Sequence, residues 1–135
     1  ATYPSDTSDW NPEGEYFRIG RIKSTEGVKV TRVFIIKDNQ HLTRPTLLKQ
    51  ITLDLEAGIE IRCISFDDFK KIGCPEDFGI WDNDYIAIVD HAEDSSITGG
   101  KLDTRVKSML TAQNWRDRLI RNSTEIKELK DLKRY

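Results

Sequence analysis

The segment that most constrains the fold is a strand, a helix and a second strand in direct succession. Residues 28–36 (VKVTRVFII) start with alternating apolar residues and end in a continuous apolar run, which is typical of a strand buried on both faces. Residues 42–57 repeat leucine and isoleucine at helical spacing, and Gly58 ends this helix before a second strand at 59–65. This order predicts two parallel strands joined by a right-handed helical crossover.

The remainder of the chain predicts a hairpin followed by helices. Two apolar runs, 78–81 and 85–90, are separated by Asp-Asn-Asp, which favours an antiparallel hairpin. From about residue 104 onward the apolar residues recur at helical spacing. The predicted fold class is therefore α/β: a mixed central sheet of about four to six strands, with flanking helices and a long C-terminal helical segment.

The predicted organisation is one domain with a segment at either side. A chain of 135 residues fits a single domain with a sizeable core. Residues 1–14 are polar and rich in turn-forming residues, which predicts an irregular arm; residues 15–121 form the α/β domain; residues 122–135 are expected to be a charged helix or linker that reaches towards a partner or a further domain. The chain begins with Ala, which fits either removal of Met or a piece of a longer protein.

The charge is distributed unevenly along the chain. Residues 1–100 hold 11 Lys and Arg against 18 Asp and Glu, whereas residues 101–135 hold 10 against 5. A basic C-terminal part that carries Arg116, Arg118 and Arg121 beside Trp115 suits nucleic acid, an acidic membrane surface or an acidic partner. The alternative is a solvated helix face that complements the acidic body.

Apolar patterning argues against insertion into a membrane. No apolar run approaches the roughly 20 residues of a membrane-spanning helix, and the first residues lack the pattern of a signal peptide. We therefore predict a soluble, cytoplasmic protein. Its two cysteines, Cys63 and Cys74, are not spaced as CxxC, and with two histidines in the chain they favour reduced core thiols over a zinc site.

Polar residues gather around the predicted hairpin. Asp82, Asp84, Asp90 and His91, with Asn83, Glu93 and Asp94, offer oxygen and nitrogen ligands that could hold Mg²⁺ or Ca²⁺. The alternative is a solvated hairpin turn, because the spacing is not that of an EF-hand. The chain contains no GxSxG, P-loop or GxGxxG motif, so the sequence favours neither an enzyme nor a bound cofactor.

The segment from Gly27 to Asp90 resembles one lobe of the phospholipase D-like superfamily. The order of elements is similar: GVKVTRVFII, a helix, AGIEIRCIS, and then a hairpin whose second strand carries the motif. In active members that strand reads His-x-Lys-x4-Asp. In this chain Asn83 stands at the His position, Tyr85 at the Lys position, and Asp90 is retained.

The resemblance implies a domain that has lost its hydrolytic chemistry. Asparagine cannot form the covalent phospho-intermediate, and tyrosine supplies no fixed positive charge. The implied function is a sensory, regulatory or protein-interaction domain of a larger signalling protein, which associates with a partner or with itself. An anionic ligand is expected near Asn83, Tyr85, Asp90 and His91; the alternative is that Asn83 is a turn residue and Tyr85 a packing residue.

Two further hypotheses remain open from the sequence. One is a metal-dependent phosphodiesterase or nuclease that uses Asp82, Asp84, Asp90 and His91. The other is a regulator that binds nucleic acid through the basic C-terminal helix, with Arg116, Arg118 and Arg121 as contacts.

Overall fold

The computed structural model describes residues 11–75, 77–91 and 97–135, with the side chains of His91 and Ile97 outside the description. The helices are α1 (Glu15–Thr25), α2 (Pro45–Glu56), α3 (Phe66–Lys70) and α4 (Val106–Asn122), with 3-10 helices at His41–Thr43 and Leu129–Arg134. The strands are β1 (Thr31–Ile36), β2 (Glu60–Ser65), β3 (Phe78–Trp81), β4 (Tyr85–His91), β5 (Ile97–Asp103) and β6 (Thr124–Ile126). Residues 1–10 of the predicted arm, and Glu93 and Asp94 of the predicted acidic cluster, lie outside these ranges.

The predicted strand–helix–strand unit is confirmed. Strands β1 and β2 run parallel, in register from Thr31 opposite Glu60 to Ile36 opposite Ser65. Helix α2 connects them. It begins at Pro45, whose fixed φ suits a first helical turn. The chain leaves the helix through Gly58, whose φ of 84° lies in the left-handed region that favours glycine.

The α/β class is confirmed, but the strands form two sheets of three rather than one sheet of four to six. The first sheet has the order β1-β2-β6, and the second, which we call the hairpin sheet, has the order β3-β4-β5. The hairpin sheet is antiparallel throughout. Its strands follow one another along the chain and are joined by short connections, so they pair with each other instead of extending the first sheet.

The first sheet is packed on both sides. On one side, Phe34 and Cys63 meet Ile51 of α2. On the other side, Ile35 and Ile64 join a cluster that includes Phe69 of α3 and Leu119 of α4, together with Phe78 of β3. This arrangement explains why the run that ends β1 is apolar at successive positions, since both parities are buried.

Residues 122–135 complete the first sheet instead of extending outward as a helix or linker. Strand β6 pairs antiparallel with β2, and Ile126 lies opposite Ile61. The 3-10 helix that follows buries Leu132, which is 4% exposed, and the Tyr135 hydroxyl donates to the Cys63 carbonyl at 2.7 Å. A few apolar residues in a highly charged segment are enough to hold it against the core.

Helix α1 is attached mainly through charge. None of its eleven residues, all of which are described, is buried. Arg21 of α1 and Arg32 of β1 each place Nε at 2.8 Å from a carboxylate oxygen of Asp54 in α2, and the Asp54 side chain is 0% exposed. Gln50 donates from Nε2 to the same carboxylate at 2.8 Å. Two arginines therefore share one buried carboxylate, which links α1, β1 and α2.

Helix α4 packs on both sheets. Its Met109 and Ala112 form a small core with Ile86 of β4, while Leu119 lies in a core of the first sheet. Within the described part of the chain, no helix combines the length and apolar character that a membrane crossing requires.

Candidate protein-interaction surface

The predicted hairpin between β3 and β4 is confirmed, and its turn uses the residues that the sequence singled out. Asp82 and Asn83 have φ values of 53° and 57°, in the left-handed region that Asn and Asp tolerate better than most residues. The Asp84 N–H donates to the Trp81 carbonyl at 2.9 Å, which closes the turn. Positive φ at consecutive residues matches the twist of the flanking strands.

The turn is also attached to α4. The Asn83 side-chain oxygen accepts from Nη1 of Arg116 and from Nε2 of Gln113, each at 3.3 Å. The structure thus joins Asn83, from the predicted ligand set, to Arg116, from the predicted anion-binding set. Arg116 therefore has an amide oxygen as a partner, and its guanidinium also lies 3.3 Å from Asp117.

The predicted ligand set does not form one site. Asn83 and Tyr85 lie at the turn end of β4, and Asp90 lies five residues after Tyr85, or about 17 Å along an extended strand. Since side chains alternate across a strand, Tyr85 and Asp90 also project from opposite faces. Asp90 is exposed and its carbonyl accepts from the Thr98 hydroxyl at 3.2 Å. The side chain of His91 is outside the description.

The predicted metal ligands are similarly separated. Asp82 and Asp84 lie in the turn and are exposed, whereas Asp90 is near the far end of β4. Among the residues that the structure describes, no three His, Cys, Asp or Glu side chains come together in a way that could hold a metal ion.

The three arginines of α4 do not share a face. Arg116 contacts Asn83, Arg118 donates from Nη2 to the Lys71 carbonyl at 3.2 Å, and Arg121 is exposed. Successive helical residues are rotated by about 100°, so Arg116 and Arg118 point about 160° apart. The structure therefore brings Arg118 and Arg121 to one side of the helix and Arg116 to the other.

The hairpin sheet carries an aromatic cluster that sequence reasoning missed. The rings of Trp81 and Tyr85 stack with centroids 5.4 Å apart and planes 1° apart, and Tyr16 of α1 lies edge-on to Trp81 at 6.4 Å. Gly79 lies beneath the indole, because a Cβ at this position would overlap the six-membered ring of Trp81. We call the surface formed by Tyr16, Gly79, Trp81 and Tyr85 the aromatic face.

The aromatic face is open to solvent. Tyr16 is 60% exposed, and Trp81 and Tyr85 are partly exposed. The opposite side of the same sheet buries Ile86 against α4. The sequence carried a signal for this face in the alternation of the strands. Trp81 and Tyr85 lie on the side of the hairpin opposite to Ile86, so large apolar groups occupy both sides of the sheet, and α4 covers the side of Ile86.

Both cysteines are free thiols in the structure. Cys63 is buried in the first sheet, and burial raises the pKa of its thiol to about 12. Cys74 is partly exposed, and partial burial also raises the pKa of its thiol. A thiolate is the nucleophilic and metal-binding form, so neither group is activated for chemistry at neutral pH.

These observations define a small α/β domain in which one three-stranded sheet is enclosed and the other displays aromatic side chains. Residues 6–131 match the family model described as "Domain of unknown function (DUF6879)". The match covers most of the chain, which therefore belongs to this family. No curated protein and no solved structure matches the chain.

Proposed function

We propose that this chain is a non-catalytic protein-interaction domain that binds its partner through the aromatic face. The observation that carries the proposal is the stacked Trp81–Tyr85 pair with Tyr16 at its edge, exposed on a sheet whose other side is buried. Tryptophan and tyrosine are enriched at the energetically dominant positions of protein interfaces, because they bury a large area with few rotatable bonds.

The charges around the aromatic face favour a protein partner over a nucleic acid. Nucleic-acid binding combines aromatic stacking with basic side chains that contact phosphates. Here the exposed residues Asp82 and Asp84 lie in the turn between Trp81 and Tyr85, and their carboxylates border the face. Arg116, which reaches the hairpin turn from α4, is engaged with Asn83. The partner that fits is a protein with an apolar anchor for the aromatic rings and basic side chains for the two aspartates.

The proposal agrees with the function that the phospholipase D-like resemblance implies, namely a regulatory or protein-interaction domain within a signalling protein. It differs in the surface used: the aromatic face replaces the groove expected between Asn83 and Asp90. The resemblance itself remains a prediction. The metal-dependent and nucleic-acid-binding hypotheses also remain predictions, with less geometric support than the aromatic face.

Site-specific photo-crosslinking tests the proposal. A photoreactive phenylalanine analogue replaces Tyr85 in the full chain, produced in the cells that normally make it, and a matched control carries the analogue at Asn114, an exposed position on α4. We expect position 85 to capture one protein that position 114 does not. The affinity of that protein for the wild-type chain, Trp81→Ala and Asn114→Ala is then measured by calorimetry.

We expect Trp81→Ala to lose about 2 kcal/mol or more of binding free energy, and Asn114→Ala to bind like the wild type. Circular dichroism of both variants checks that the fold is retained. Equal crosslinking at positions 85 and 114, or unchanged affinity in a folded Trp81→Ala variant, would overturn the proposal.

A further inference from the structure

The longest open strand edge in the described structure is the outer edge of β5. Strand β5 pairs with β4 on one side, and no backbone hydrogen bond joins it to any described residue outside that pair. Residues 98–102 are all exposed, and Leu102 is 72% exposed. Unpaired N–H and C=O groups along a seven-residue strand are a template for another strand.

The side chains of β5 restrict which strand can pair there. Lys101 is exposed and forms no ion pair within the described residues. Asp103, two residues later on the same side of the strand, is fixed by Arg105, whose Nη2 lies 2.7 Å from the carboxylate. Leu102 projects from the other side of the strand, between these two charges. Because Lys101 and Asp103 carry opposite charges on either side of the exposed Leu102, this segment is complementary to an antiparallel copy of itself.

An antiparallel register of β5 against a second β5 keeps like sides of the sheet together when it is centred on a residue, and three such registers are centred on the exposed residues Gly100, Lys101 and Leu102. A register centred on Lys101 places two ammonium groups opposite each other, which is unfavourable. A register centred on Gly100 places Lys101 opposite Gly99 and leaves Leu102 opposite Thr98. A register centred on Leu102 places Lys101 of each copy opposite Asp103 of the other and brings the two leucines into contact. The last register places opposite charges across the pair, with Lys101 as a second cation beside an Asp103 that Arg105 already contacts, and it covers the exposed apolar group.

We propose that two copies of this chain associate through antiparallel pairing of their β5 strands, centred on Leu102. Residues 101–103 of the two strands then pair, which joins the two hairpin sheets in the order β3-β4-β5-β5-β4-β3. The two aromatic faces lie on the same side of the joined sheet and remain open. The pairing is independent of the proposed function, because it uses the edge of β5 and not the rings on β3 and β4.

Disulfide trapping tests the register. Residues directly opposite in an antiparallel pair have Cα atoms about 4.5–5.5 Å apart, within the range that a disulfide spans. Leu102→Cys is prepared in a Cys74→Ser background, since Cys63 is buried. The matched control is Thr98→Cys, an exposed position on the same strand whose two copies do not meet in this register. We expect mild oxidation to convert most of Leu102→Cys, and little of Thr98→Cys, to a covalent dimer.

Sedimentation of the unmodified chain tests the association itself. We expect the mass to rise from 15.6 kDa towards twice that value as concentration increases. Leu102→Glu places two carboxylates at the centre of the pair and is expected to remain monomeric where the wild type dimerises, while Thr98→Glu behaves like the wild type. Both positions are exposed, so the variants are expected to fold.

A wild-type chain that stays monomeric at every concentration, or equal disulfide yields at positions 98 and 102, would overturn the pairing. Crosslinking at Tyr85 in Leu102→Glu separates the two proposals. If Leu102→Glu is monomeric and still captures the partner, the pairing is lost and the proposed function is kept. If the wild-type chain forms the dimer but captures no partner at Tyr85, the pairing stands and the proposed function fails.

Discussion

The two sheets of this chain have the same number of strands and opposite relations to solvent. In the first sheet, Phe34 and Ile35 are adjacent in β1 and both are 0% exposed, so each side of the sheet is covered. In the hairpin sheet, Ile86 is 2% exposed, while its neighbours Tyr85 and Ala87 are partly exposed. The first sheet stabilises the fold because apolar side chains are buried on both of its sides, whereas the hairpin sheet leaves one side partly exposed. The first sheet is therefore the scaffold of the fold, and the hairpin sheet carries the surface that we propose for interaction.

The strongest way to break the scaffold is to remove the carboxylate that two arginines share. Asp54→Ala leaves Arg21 and Arg32 partly buried without their counter-charge, which is expected to cost about 3–5 kcal/mol of unfolding free energy. Urea denaturation measures this loss. Lys49→Ala, at an exposed position on the same helix, is the control. A loss below about 1 kcal/mol for Asp54→Ala would show that the cluster is not a principal support of the first sheet.

A second test concerns the C-terminal segment. Leu132→Ala removes a buried side chain from the core of the first sheet and is expected to cost about 2–4 kcal/mol. Leu129, 41% exposed and in the same 3-10 helix, provides the matched variant Leu129→Ala, for which we expect less than about 1 kcal/mol. If thermal and urea unfolding show that Leu132→Ala costs as little as Leu129→Ala, residues 122–135 act as a linker and not as a part of the first sheet.

The hairpin sheet is expected to tolerate substitution better, with its turn as the sensitive point. Asn83→Ala places alanine at a φ of 57° and removes the acceptor for Arg116, which is expected to cost about 1 kcal/mol. Asn83→Gly loses the same acceptor but relieves the backbone strain, so it is expected to lie within about 0.5 kcal/mol of the wild type. Denaturation curves that rank glycine below alanine would contradict this account of the turn.

At neutral pH, the smallest effect on the free energy of unfolding is expected from thiol ionisation. The pKa of Cys63 is raised to about 12, so the folded state keeps the proton that the unfolded chain releases near its ordinary pKa of about 8.5. This contribution to stability is fully present below pH of about 8.5 and is lost as pH rises towards 12. With a chromogenic disulfide at pH 8, native protein is expected to react at Cys74 and, on urea addition, at Cys63 as well. Rapid reaction of both thiols in the native state would contradict the enclosed first sheet.

Local signals in the sequence predicted the local parts of this fold. Pro45 and Gly58 set the limits of α2, and Asp82 and Asn83 produced the hairpin turn. The pairing of β6 with β2 could not be found this way, because it joins residues more than 60 positions apart through a three-residue strand in a charged segment. The division into two sheets escaped for a similar reason, since local patterns identify strands without identifying their neighbours.

The candidate surface was predicted less well than the fold. The ligand set was drawn along one strand, and an extended strand necessarily separates Tyr85 from Asp90 and turns them to opposite sides. The aromatic face depends on Tyr16, which is distant in sequence from Trp81. It also depends on Gly79, which leaves room for the indole of Trp81, a contact that the sequence does not indicate. Contacts between residues that are distant in sequence produce no periodic pattern from which they could be predicted.

The place of β6 in the first sheet has a consequence for synthesis on the ribosome. The central strand β2 has β1 as its neighbour early in translation, but its second neighbour emerges about 60 residues later. In the interval the nascent chain holds β2 with one edge unpaired, while β3, β4 and β5 emerge together and have only short loops to close. We expect the hairpin to be complete before the first sheet closes. A ribosome-stalled chain that ends before Thr124 would then resemble a folding intermediate, exposed at an edge of β2, the strand that has a neighbour at both edges in the finished first sheet.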